Sequence, residues 1–150
     1  MQVARTRSAR SPGAGKWYDP TLVTWEDLAR ENYAAARELL TRSFARPCIG
    51  RCYYAVYCAV AARLSDNGFT TFPRRNETWL NPPHETIPNR VRSTLGLARR
   101  QADAAAESVE LLRLTRVDAD YKPWALVDDA LAKDAFREAT YALSFFGVVP

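Results

Sequence analysis

Apolar positions in this chain recur at spacings of three and four, and strict alternation never runs beyond a few residues. That pattern predicts helices and no strands. A first helix begins near Thr24, whose hydroxyl suits an N-cap, with Trp25, Glu26 and Asp27 in the first turn. Acids there sit at the positive end of the helix dipole. Trp25, Leu28, Ala35, Leu39 and Leu40 share one face of this helix, which runs to about Ser43. Pro47 marks a break, and a second helix extends from about Ile49 to Asn67, with Gly68 as its stop. From Cys52 to Ala62 it is apolar nearly all round, as befits a helix at the centre of a bundle or at a subunit interface. Tyr53, Tyr54 and Tyr57 bring hydroxyls that need partners or water when buried.

Residues 69–83 contain three Pro and predict a loop of a length more often functional than filler. A short helix follows from about Ile87 to Leu95, with Ile87, Val91 and Leu95 on one stripe and Gly96 ending it. A fourth helix spans about Ala98 to Tyr121, aligns Ala102, Ala105, Val109 and Leu112, and is closed by Pro123. Asp128 caps a fifth helix that turns Leu131, Ala135, Ala142 and Phe146 inward. The expected fold is all-α: an up-down four-helix bundle with one extra short helix after a long loop.

The length of 150 residues fits one domain, and 47% hydrophobic with 25% charged residues is an ordinary globular balance. Six Gly and three Cys exclude collagen-like and disulfide-scaffold classes. The most apolar run is too short for a membrane span, so no membrane partner is expected. Cys48, Cys52 and Cys58 read as free core thiols in a reducing compartment, and the expected location is the cytoplasm. The net charge of +4 matters less than its distribution. Residues 1–16 carry +4, residues 74–100 carry +4, and residues 101–150 carry −4. Residues 1–16 are therefore expected to be a flexible basic tail, and residues 17–150 the helical domain.

Recognisable chemistry is sparse. There is no P-loop, no dinucleotide fingerprint and no nucleophile elbow, and the Cys spacing lacks a fourth metal ligand. No cofactor and no metal are expected. His84 is the single His, and its simplest role is a bond to the next helix turn. Arg113 and Arg116 share a face near the end of the fourth helix, and Arg116 and Asp120 have the spacing of an intrahelical ion pair. Tyr121 ends the same helix, and its hydroxyl is expected to make a structural hydrogen bond worth on the order of 1 kcal/mol.

Four segments together resemble the HEPN family. Arg51 to Leu64 (RCYYAVYCAVAARL) is similar to that family's R-x-Y-Y-A-x-(F/Y)-x-A helix. Trp25 to Ala36 resembles its first helix. His84 with Val91 and Leu95 resembles the short helix after its long loop, and Leu112 to Tyr121 resembles the L-R…R-x-x-A-D-Y ending of its fourth helix. The likeness covers about residues 24–147 in order. It implies an all-α bundle, commonly a homodimer, of a kind found in prokaryotic toxin–antitoxin and defence systems, often beside a nucleotidyltransferase.

The departure from the family is informative. Ribonuclease members carry R-x(4–6)-H near the end of the fourth helix, where Arg binds phosphate and His moves protons. Here the chain holds no His after His84, and Tyr121 is a poor general base at neutral pH. The primary expectation is a binding or interaction module, with Arg51, Tyr54, Arg113, Arg116, Asp120 and Tyr121 as the candidate polar or ligand site. Its expected partners are a second copy, a nucleotidyltransferase-type antitoxin or other protein, and RNA or a nucleotide. The alternative is a divergent ribonuclease toxin cleaving single-stranded RNA through Arg113, Arg116, Tyr121 and His84. That requires the loop before the short helix to meet the fourth helix.

Overall fold

The computed structural model describes residues 23–68 and 82–148. Every regular element among them is helical: α1 (Trp25–Thr41), α2 (Ala45–Asp66), a 3-10 turn (His84–Thr86), α3 (Ile87–Thr94), α4 (Arg99–Tyr121) and α5 (Asp129–Phe146). The basic stretch 1–16 and most of the Pro-rich segment 69–83 lie outside the described residues. No described helix is long and apolar enough to cross a membrane.

Thr24 caps α1 in a reciprocal box. The Asp27 amide donates to Thr24 Oγ1 at 3.1 Å, and the Thr24 amide donates to Asp27 Oδ2 at 2.9 Å. These bonds with Thr24 hold the Asp27 carboxyl below its ordinary value. The buried line of α1 is Ala29, Tyr33 and Ala36, with Trp25, Leu28, Leu39 and Leu40 packed beside it. Ala35, expected on that face, is only half-buried beside it.

The α1–α2 break lies earlier than Pro47. Ser43 takes a left-handed φ of 58°, and α2 already begins at Ala45. Pro47 is the third residue of α2, where a backbone N–H has no intrahelical acceptor, so its missing donor costs nothing.

Helix α2 packs against α1, α4 and α5, with a lighter contact to α3. Its apolar girth is satisfied inside a single chain: Ala55, Val56, Tyr57, Cys58, Ala59, Val60 and Ala61 are all 5% exposed or less. Of the two settings expected for such a helix, enclosure by neighbouring helices of the same chain is the one seen. Exposed large apolar side chains include Leu111 and Leu114 on α4 and Trp124 and Leu126 just after it, with Val23, Phe44 and Tyr141 elsewhere.

The expected inward positions of α4 (Ala102, Ala105, Val109 and Leu112) are buried, as are Ile87 and Val91 of α3. On α5, Ala135, Ala142 and Phe146 are buried, Leu131 is partly so, and Asp128 caps the helix through the Leu131 amide at 2.9 Å. Cys48, Cys52 and Cys58 are free and buried. A hydrogen bond with Cys48, together with burial, pushes the Cys52 thiol pKa up, and burial raises that of Cys58 to about 11.

Candidate functional site

Helical periodicity puts Tyr53, Tyr54 and Tyr57 on neighbouring lines of α2, at spacings of three and four. The phenolic oxygen of Tyr53 lies 2.6 Å from His84 Nδ1. Tyr57 donates to the Pro82 carbonyl at 2.8 Å, and its ring tilts against the His84 imidazole with centroids 4.6 Å apart. The Tyr54 ring meets His84 edge-on at 6.0 Å. Three tyrosines of α2 thus seat the turn that carries His84. His84 has a tertiary hydrogen bond to α2, beyond the simple local role expected of it.

Tyr54 also reaches the other way. Its hydroxyl accepts from Arg116 Nη2 at 2.9 Å, and the Tyr121 hydroxyl accepts from the same nitrogen at 3.2 Å. The Arg116 guanidinium lies 5.3 Å from the Tyr54 ring centre, 5.1 Å from that of Tyr121 and 6.0 Å from that of Tyr53. A cation enclosed by aromatic faces is stabilised by their negative quadrupoles.

Asp120 Oδ2 stands 2.6 Å from Arg116 Nε, which confirms the expected ion pair. The approach lies off the N–H direction, so the contact is ionic without forming a hydrogen bond. Among the described residues, Nε is the buried side-chain polar atom left without a hydrogen-bond partner. Burial works against the Arg116 charge, but Tyr54, Asp120 and Tyr121 outweigh it, and the guanidinium pKa is raised. Burial, with Tyr57 close by, pushes the Tyr53 phenol up, while Arg116 and Arg113 pull against that shift.

Arg113 is differently engaged. Its fork closes on Glu110, with Nε to Oε2 and Nη2 to Oε1 both at 2.8 Å. The hydrogen bond to Arg113 lowers the Glu110 carboxyl pKa. Arg51 is exposed and donates to Asn32 Oδ1 of α1 at 3.0 Å, so its hydrogen bond joins α2 to α1 and does not reach Arg116. Of the six residues expected at a ligand site, Tyr54, Arg116, Asp120 and Tyr121 meet in one cluster. His84 joins that cluster through Tyr54. Tyr53 and Tyr57 belong to it as well, and the only sequence sign was three tyrosines in five positions, each needing a hydroxyl partner.

Arg116 Nη2 is committed to Tyr54 and Tyr121, whereas Nη1 makes no hydrogen bond among the described residues. A cleft of about 370 Å³ over Leu40 and Phe136, rimmed by Lys133, Asp134 and Arg137, shares no residue with this cluster. Among the described residues, no group of three or more His, Cys, Asp and Glu is placed to hold a metal ion. The chain matches no family model, no curated protein and no solved structure.

Proposed function

We propose that this chain is a HEPN-like binding module whose Arg116 takes a phosphate of single-stranded RNA or of a nucleotide, in a toxin–antitoxin or defence setting. In this reading α1, α2, α4 and α5 form an up-down four-helix bundle, and α3 is the added short helix. One observation carries it: the pieces of sequence behind the HEPN resemblance, far apart in the chain, meet at Tyr54, which hydrogen-bonds Arg116 and packs edge-on against His84. Arg116 is 13% exposed at its side chain, charged and held by rings, and its Nη1 remains as the donor for a single phosphate oxygen. The lack of R-x(4–6)-H supports binding over cleavage. A second copy or a nucleotidyltransferase-type protein is the proposed protein partner, for which Leu111, Leu114, Trp124 and Leu126 offer apolar contacts. Buried free thiols support the cytoplasm as location.

One observation favours the ribonuclease reading as the second. His84, 29 positions before Arg113, is seated beside the rings that enclose Arg116 within a single chain, so no partner is needed to supply it. One experiment separates the two. A fluorescein-labelled single-stranded RNA hexamer is titrated with the protein in chelator, and its length is followed on a gel. Binding that is lost in Arg116→Gln, with the RNA intact, is expected. No binding at any salt concentration sinks the phosphate reading. Cleavage that vanishes in His84→Ala but persists in a core variant of equal stability, such as Val109→Ala, installs the ribonuclease in its place.

A further inference from the structure

The last turn of α4 carries Asp120 and Tyr121, the two groups that flank Arg116. A helix end is ordinarily its loosest part, because the final carbonyls have no intrahelical donor. Here the end is held from another helix. Arg46, in the first turn of α2, directs its guanidinium at four backbone carbonyls. Nη1 donates to Ala119 at 2.7 Å and to Lys122 at 3.2 Å. Nη2 donates to Pro123 at 3.2 Å and to Ala125 at 2.8 Å. The Ala119 carbonyl is one that α4 cannot satisfy itself, and it immediately precedes Asp120. The remaining three, at 122, 123 and 125, lie in the segment that follows Tyr121. The cation also opposes the negative end of the α4 dipole.

Building on the proposed anion site, we infer that Arg46 is a positioning residue for it. Arg46 touches neither Arg116 nor the anion. It fixes where α4 ends, and so fixes the Asp120 carboxylate against Arg116 Nε and the Tyr121 hydroxyl against Nη2. Only a planar fork with several donors can span carbonyls from 119 to 125, and a Lys ammonium cannot. In Arg46→Lys the charge stays, but the last turn frays and Arg116 loses its fixed flank.

The test has a ligand-free part and a ligand part, both on the full chain. The Arg116 Nε–H is buried, so its NMR signal should exchange slowly with solvent. Arg46→Lys should speed that exchange by about tenfold or more, a sign of local opening. Arg63→Lys is the control: Arg63 Nε caps α5 through the Phe146 carbonyl at 2.7 Å, and its loss should lower the melting temperature without moving the Arg116 signal. An Arg116 signal unchanged in Arg46→Lys, or equally changed in Arg63→Lys, overturns the inference. Should Arg46→Lys not fold, the wild type decides. Arg116 Nε–H and the Ala125 amide, which bonds to the Lys122 carbonyl at 3.0 Å, should open with a single rate, and independent rates overturn the inference.

In the ligand part, the RNA hexamer should bind Arg46→Lys about tenfold more weakly, with the salt slope of the wild type, because no phosphate contact is lost. A slope reduced by about 0.7 makes Arg46 itself a phosphate contact and overturns the positioning role. If the wild type binds no RNA, the anion reading fails by itself, and the exchange data still decide whether Arg46 sets the geometry around Arg116.

Discussion

Tyr53 and His84 are 31 positions apart, yet the phenolic oxygen of one lies 2.6 Å from Nδ1 of the other, at a tyrosine with no exposed surface. The bond ties the 3-10 turn to the middle of the central helix, at a phenol that is itself fully buried. Tyr53→Phe should therefore lower stability by about 1–2 kcal/mol, read as a shifted urea midpoint at constant m-value. Tyr57→Phe should cost a similar amount, because it deprives the buried Pro82 carbonyl of a donor. If both variants unfold at the wild-type midpoint, the tyrosines do not anchor the turn.

Tyr121→Phe should behave differently. The hydroxyl does bond to Arg116, at 3.2 Å, but the residue is 62% exposed and water can replace it. The stability change should stay below about 0.5 kcal/mol, half or less of what the sequence suggested. Its effect should fall on RNA affinity instead, since Arg116 Nη2 loses one of its two hydroxyl acceptors. A loss of stability as large as that of Tyr53→Phe would show that Tyr121 is structural.

Helix limits were largely legible because they rest on local chemistry. Thr24, Asp128, Gly68 and Gly96 act through their own turns, and their roles can be read from neighbouring residues alone. Pro47 misled because the same residue that breaks a helix interior is welcome in a first turn, and nothing nearby in sequence shows which applies. Arg116 with Asp120 was legible because the pair lies within one helix. The seat of His84 was not, since it depends on how far α2 and the 3-10 turn approach one another across the chain. Arg113 looked equivalent to Arg116 until its fork was seen to close on Glu110.

Gly147 ends α5 with φ at 66°, and a Cβ placed there would lie 2.5 Å from Arg63 Nη2. Gly147→Ala therefore meets two costs, a left-handed backbone and a clash with the guanidinium that caps the helix. Arg63 is partly exposed and can swing aside, but only by weakening its bond to the Phe146 carbonyl. The expected loss is about 1–2 kcal/mol. The same substitution in an Arg63→Ala background should cost less, because only the backbone penalty remains. Equal costs in the two backgrounds would mean that the guanidinium yields without penalty.

Alkaline pH should unfold this protein earlier than its charge balance suggests. Burial holds the Cys58 thiol at about 11, against an ordinary value of 9.0, and Tyr53 also sits above its ordinary value. Both are acids whose protons bind more tightly in the folded state. Below the unfolded values the two states are equally protonated and the full stability is present. As pH rises past about 9 the unfolded chain ionises Cys58 first while the folded chain cannot, so unfolding is favoured increasingly until the folded pKa is reached. Tyr53 adds to the decline above about pH 10. For Cys58 alone the loss is on the order of 2 kcal/mol by pH 11. Urea midpoints measured under reductant from pH 7 to 11 should stay level to about pH 8.5 and then fall. Cys58→Ala should start lower, because it removes a buried sulfur, but its slope between about pH 9 and 10 should be shallower, with the buried Cys52 thiol supplying what remains. An unchanged slope in that variant would assign the alkaline transition to other groups, and a flat profile to pH 11 would show that neither buried acid resists ionisation.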